Sequence, residues 1–406
     1  MTFVPRGLPT GIGSLPFKDE KQAVSFVASR LPEIPFWPQL PKKDFRESMY
    51  IQYSEGLPGV TFAGGRMYID TSRDLTAEME EFYQNYLEGK SPAAPFGPSY
   101  AEGFYAFLAA GDEGLFDGGA PKYPSSSRRS GGAEPAAQRE RGPLQEPAAA
   151  ESPGSDGGSA TTSVSLHAPR PVQEGASLPL AVKGQVTGPV SFGLAVTDQD
   201  KKLILYNQVY MDLVVKNLQS KARWQEEKLR QVHPQTIIFV DEPYLSTYGS
   251  GYFNYERETV IRYLNEVMEG IQGLKGVHCC GNTDWSILLA TPVDILSFDA
   301  YAYSKSFSLY APALANFLAG GGIIAWGIVP ATIEEAKKED PPALLKRLEE
   351  AMGLLRAQGI PWTQLVEQSL ITPACGLGSQ DEEGAEHIFA LTRQVSDLFR
   401  EKYRLD

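Results

Sequence analysis

Cysteine is scarce in this chain, with three residues in 406. An odd number in so long a sequence builds no disulfide framework, so the thiols are expected to be reduced and free to act as ligands or nucleophiles. Basic residues are outnumbered, 37 Lys and Arg against 50 Asp and Glu, for a formal net charge of −13. That balance argues against the basic face of a nucleic-acid binder. No run of 18 apolar residues occurs, so no membrane-spanning helix is expected. The opening MTFVPRGLPTGIGSLP has neither a signal-peptide core nor an amphipathic transit helix, which points to the cytoplasm. The nucleotide-binding signatures G-x-G-x-x-G and G-x-x-x-x-G-K-[ST] are missing as well.

What is there falls into two kinds of sequence. Residues 118–177 are dominated by Gly, Pro, Ser, Ala, Glu and Arg, with almost no aliphatic or aromatic side chains. Such a segment cannot bury enough apolar surface to offset the entropy of ordering it, and it reads as a disordered insertion. On both sides of it, short apolar runs alternate with helical patterns. The runs are 10–16, 34–41, 179–189, 236–243, 274–282, 293–301, 321–330 and 369–378. The clearest helical stretches are 200–230, 255–271, 342–358 and 382–401, where apolar residues recur every three or four positions. Alternating strands and helices imply a parallel sheet, and eight strands in one unit imply an α/β fold of the (β/α)8 barrel type. A single barrel spanning 1–406 and interrupted by 118–177 is therefore expected, with a doubly wound open sheet as the alternative.

In such barrels the chemistry sits at the C-terminal ends of the strands. Those ends read Gly13-Ser14, Thr187-Gly188, Asp241-Glu242, His278-Cys279-Cys280, Asp299, Gly327 and Cys375. Residues i and i+2 of a strand share a face, so His278 and Cys280 point one way and Cys279 the other. If the first pair faces inward, Cys279 packs against the helices. Cys375, ending the eighth strand, can reach across the mouth to the fifth. One imidazole and two thiolates form a three-ligand zinc set that leaves the fourth position open. Asp299 is a candidate fourth, exchangeable ligand. The competing reading makes these residues buried core groups, and makes the Gly, Ser and Asp residues ordinary turn formers.

These residues also carry a family resemblance. T-G-I-G-S-L-P (10–16), K-G-Q-V-T-G-P-V (183–190), F-V-D-E-P (239–243), H-C-C-G-N (278–282) and P-A-C-G-L (373–377) occur in the order found in the catalytic barrel of cobalamin-independent methionine synthase. The chain resembles that family and its relatives, the zinc methylcobamide:thiol methyltransferases and uroporphyrinogen decarboxylase. The resemblance implies a zinc-dependent methyltransferase with His278, Cys280 and Cys375 as metal ligands. It places a substrate carboxylate at Ile12, Gly13 and Ser14, and a substrate ammonium at Asp241, with Glu242 beside it. Homocysteine is the implied acceptor, with a coenzyme thiol or tetrahydrofolate as the alternative acceptor in a corrinoid-linked methyltransferase, and methyltetrahydrofolate or the methylcorrinoid of a corrinoid protein is the implied donor.

The sequence departs from the family's pattern in several places. Asp299 stands where the family has a glutamate ligand, and Trp326-Gly327-Ile328-Val329-Pro330 replaces a His segment. No G-E-P-x-R-x-D follows the second strand, where the family supplies a further amino-group ligand, and there is no duplicated barrel. Trp326 and Tyr301 are candidates for walling the pocket, and core packing is the competing reading. A metal-free decarboxylase would need arginines at the first strand to hold carboxylates, and Arg6 is the one nearby. A non-catalytic, partner-binding barrel would use residues 118–177 as its recruiting arm.

Overall fold

The runs rich in Val, Ile, Leu and Phe form strands that are buried on both faces, as parallel strands covered by helices must be. The computed structural model describes residues 3–89, 96–116, 178–250 and 255–405. The expected insertion, 118–177, lies outside the described residues. The strands are β1 (Leu8–Pro9), β2 (Val60–Ala63), β3 (Arg66–Ile69), β4 (Val182–Thr187), β5 (Thr236–Asp241), β6 (Leu274–Cys279), β7 (Ile295–Phe298), β8 (Ile323–Val329) and β9 (Ser369–Pro373). Seven of them make one curled parallel sheet in the order β1-β9-β8-β7-β6-β5-β4.

The expected eight-stranded closed ladder is not what forms. Residues 35–39 lie between the two sheet edges, β1 and β4, and meet them only through isolated bridges, Phe36 with Lys183 and Ser14 with Gln39. The Trp37 amide donates to Lys183 and the Lys183 amide to Pro35, while on the other side the Gln39 amide donates to Gly13 and the Leu15 amide to Gln39. The reason is written in the run IPFWPQLP: Pro35, Pro38 and Pro41 have no N–H to give, so a continuous ladder cannot run through them. The first strand is likewise shorter than expected, and residues 10–13 continue it without ladder pairing on both sides.

The helices follow the predicted periodicity. Gln208–Val232, Arg257–Met268, Pro341–Arg356 and Glu382–Tyr403 bury their apolar faces on the outside of the sheet. Asn207, Asp340 and Asp381 cap three of them by accepting from backbone amides inside the first turn. Among the described residues no helix is long and apolar enough to cross a membrane. The region between residues 42 and 116 holds elements the expectation omitted, including helices Thr76–Leu87 and Glu102–Asp112 and the hairpin β2-β3. That hairpin turns on Gly64 and Gly65, both at positive φ, which fits the primed turn that matches strand twist.

Inside the sheet the side chains change character along the barrel axis. Toward the N-terminal ends, Leu8, Ile34, Ala181, Ile237, Ile295, Ile323 and Leu370 belong to one apolar cluster, which also includes Phe239 and Ala325. Toward the C-terminal ends the same inward parity brings Lys183, Gln185, Thr187, Asp241, His278, Ser297 and Thr372. A dry floor therefore lies beneath a polar mouth.

Candidate functional site

The alternation of β6 turns His278 inward and Cys279 outward. Cys279 is fully buried in the helix-facing core, and its thiol donates to the Gly281 carbonyl. His278, Cys280 and Cys375 come together, with one ligand atom from each lying within 4.8 Å of the others. The His278 Nδ1 sits 2.9 Å from Ser297 Oγ on the neighbouring strand β7. Its other nitrogen, Nε2, is buried and has no hydrogen-bond partner. The Cys375 thiol and His278 pull the Cys280 thiol well below the ordinary range of a thiol, and Cys375 keeps its proton correspondingly more tightly. One thiolate, a second thiol beside it and an orphaned imidazole nitrogen fit a zinc ion, whose binding would displace the Cys375 proton.

Asp299 does not join this group. Its carboxylate caps helix Ala300–Phe307 by accepting from the Ala302 amide at 2.8 Å, and burial pushes it up to about 6. Asp followed by a helical segment is a capping signal, and the cap occupies one of its carboxylate oxygens.

The residues expected to bind substrate also differ in their surroundings. Asp241 ends β5, next to Thr187 on β4 and His278 on β6. Its Oδ1 is buried without a partner. Burial raises its pKa, while His278 and Lys183 pull it back down. Glu242, in contrast, is consumed by the fold. The Val190 and Ser191 amides donate to it at 2.9 and 2.8 Å and the Ser191 hydroxyl at 2.7 Å, so it anchors the helix Pro189–Ala195 that follows β4. These three bonds give Glu242 a positioning role on that side of the mouth. Ile12, Gly13 and Ser14 are at the mouth: the Ile12 carbonyl accepts from Lys183 Nζ, the Ser14 carbonyl from the Leu377 amide, and the Ser14 hydroxyl from the Gly378 amide at 3.3 Å.

Three expected residues lie elsewhere. Trp326 faces the helices, packs on Phe298 and Phe307, and donates Nε1 to Ser369. Tyr301 donates to Glu339 and lies under the Arg347 guanidinium, so it does not wall the pocket. Arg6 precedes β1, at the end of the sheet opposite the strand C-termini, which removes the arginine a decarboxylase reading needs.

Other groups had been given no role. Lys183 is fully buried, hydrogen-bonded to Ile12 and set over the Phe239 ring at 4.3 Å. Gln185 Oε1, Thr187 Oγ1 and Thr372 Oγ1 are buried acceptors without partners. Tyr50 packs against Tyr244, with ring centroids 6.2 Å apart; burial, then Tyr244, Glu242, Asp241 and Cys280 all raise its pKa, which locates it at the same mouth. The signal for Lys183, Gln185 and Ser297 was available, since each is a polar residue at inward parity in an otherwise apolar strand.

No protein-family model matches the chain, and no curated protein sequence does. Among solved structures it is similar to a B12-independent methionine synthase from Shewanella sp. W3-18-1 in complex with selenomethionine. The TM-score is 0.40 at 15% identity, covering 55% of this chain and 63% of that one. It is also similar to a methyltransferase from Methanosarcina mazei, with TM-score 0.37 and 12% identity, covering 56% of this chain and 60% of that one. The chain thus spans about three fifths of the length of these two structures.

Proposed function

We propose that this chain is a zinc-dependent methyltransferase that methylates the sulfur of a small thiol. The acceptor is homocysteine, and the donor is methyltetrahydrofolate or a methylcorrinoid. The observation that carries the reading is the gathering of His278, Cys280 and Cys375 within 4.8 Å of one another at strand ends, with His278 Nε2 left unpartnered. The five motifs that resemble the methionine synthase barrel support the same reading, because they supply both the metal set and the residues around it.

When bound, zinc supplies Lewis acidity that lets a thiol lose its proton near neutral pH, where a free thiol is mostly protonated. The residues of the chain do the rest. Ser297 holds the imidazole ring from Nδ1 and leaves Nε2 for ligation. Cys280 and Cys375 place negative charge beside the acceptor sulfur and keep it electron-rich. Asp241 receives the substrate ammonium at its free Oδ1, and the Gly13-Ser14 turn receives the carboxylate. Glu242 fixes the helix after β4 and so the rim on that side.

The test combines metal content with product formation. Purified protein should hold one zinc, and Cys280→Ser should lose it. Zinc-loaded protein given homocysteine with each donor in turn should form methionine from one of them. Absence of bound zinc together with a Cys280→Ser variant that matches the parent overturns the proposal.

A further inference from the structure

In a parallel barrel, inward side chains at one height come from alternate strands. Gly13 and Gln185 stand in such a relation, on either side of the bridging residues 35–39. Gly13 has no side chain, and the Gln185 carboxamide fills the space: a Cβ at Gly13 would lie 2.7 Å from Gln185 Cδ and 2.9 Å from its Oε1. The amide is therefore the floor of the mouth, directly above the layer of Lys183.

Gln185 is 1% exposed. Its Nε2 donates to the Trp37 carbonyl at 3.4 Å, and its Oε1 has no partner. Turning the amide over would set two carbonyl oxygens against each other, so the Trp37 carbonyl decides which end faces the mouth. A buried acceptor left unmet is costly, and a ligand that brings a donor recovers that cost. The neighbouring cation does not meet it: Lys183 Nζ bonds the Ile12 carbonyl and makes no bond to Gln185 Oε1. A second unpartnered acceptor, Asp241 Oδ1, opens on the same mouth from β5 and carries negative charge. A group with several N–H donors and a positive charge satisfies both.

We infer that Gln185 is a specificity-determining residue that accepts a hydrogen bond from the primary ammonium of the acceptor thiol, whose charge Asp241 meets. This rests on the thiol methyltransferase reading with an amino-acid acceptor, and it makes the site selective for a thiol bearing an amino group over the same thiol without one.

The experiment titrates the zinc-loaded full chain with L-homocysteine and with 4-mercaptobutyrate, its counterpart without the amino group, by calorimetry. Wild type should bind homocysteine tighter by about tenfold or more, the scale of one hydrogen bond to a charged group. Gln185→Met should lose about tenfold of that preference and keep the part Asp241 supplies, with 4-mercaptobutyrate unchanged from wild type, and Gln185→Glu should prefer homocysteine at least as strongly as wild type. A Gln185→Met protein that keeps the wild-type preference, or weakens both thiols equally, overturns the inference and leaves the function standing. A wild type without preference overturns the amino-acid acceptor itself. Should Gln185→Met fail to fold, a Gln185→Glu protein with a smaller preference than wild type overturns the inference.

Discussion

The Ser297 hydroxyl lies 2.9 Å from His278 Nδ1, and the opposite nitrogen of the same ring is buried with nothing to bond. The two facts belong together. A ring held from one side by a neighbouring strand presents its other nitrogen in one direction, which is what a ligand needs and a core histidine does not.

Removing that support should loosen the metal without loosening the protein. Ser297→Ala is expected to lower zinc affinity by about 10- to 100-fold, the usual effect of losing a partner behind a ligating histidine. Competition against a chromophoric chelator measures it, with the melting temperature as control. Equal affinity in the variant and wild type would show that the contact does not orient a ligand.

Glu242 makes a prediction of the opposite kind. Three donors from residues 190 and 191 converge on its carboxylate in the interior. Glu242→Ala leaves all three unmet, at about 1–3 kcal/mol for each buried group. Urea unfolding should show a loss of at least about 3 kcal/mol. Glu242→Gln, which keeps part of the acceptor capacity, should lose less and should still bind thiol once folded. A stable Glu242→Gln protein with impaired thiol binding would return this residue to the substrate.

What was legible in the residues follows from parity. In β6 the two-residue period separates His278 and Cys280 from Cys279 before any coordinates are known, and the structure gathers the first two with Cys375. Applied to β8 with Gly327 facing inward, the same period would have sent Trp326 outward, where it packs on Phe298; reading strand ends without parity left pocket wall and core packing both open. Asp299 was ambiguous for a different reason, since a strand-end aspartate and a helix cap occupy the same position between β7 and helix Ala300–Phe307. The run 34–41 is apolar enough to be a strand, but its prolines withhold the donors that a ladder requires, and only the register of Phe36 and Gln39 with their neighbours could locate it.

Glu47 gives a pH dependence. It is fully buried, accepts from the Leu40 amide at 3.1 Å and the Glu102 amide at 2.8 Å, and burial pushes it up to about 7 from an ordinary 4.5. A carboxyl whose pKa is raised by folding favours the folded state while protonated. Its contribution is full below pH 4.5 and is lost as the pH rises through about 7. Between these values the stability of wild type relative to Glu47→Gln should fall with rising pH, by at most about 1.4 kcal/mol per unit. Unfolding of both proteins at several pH values checks this, and a pH-independent difference would contradict it.

The last prediction concerns how the irregular closing segment is held. Helix Glu102–Asp112 packs its second residue, Gly103, directly on the Pro38 carbonyl, so a Cβ there would overlap a backbone oxygen that has no rotamer to escape into. By helix propensity alone Gly103→Ala should gain about 1 kcal/mol. The overlap has the other sign, because overpacking a rigid contact costs about 1–3 kcal/mol. The variant should therefore be less stable than wild type, although the same change at an exposed helical site stabilises. Pro38 lies one residue before Gln39, which bridges to Ser14, so displacing it also shifts the Gly13-Ser14 turn. Thiol binding should weaken along with stability. A Gly103→Ala protein more stable than wild type would mean that the helix does not press on the closing segment, and that residues 35–39 are held by their isolated bridges alone.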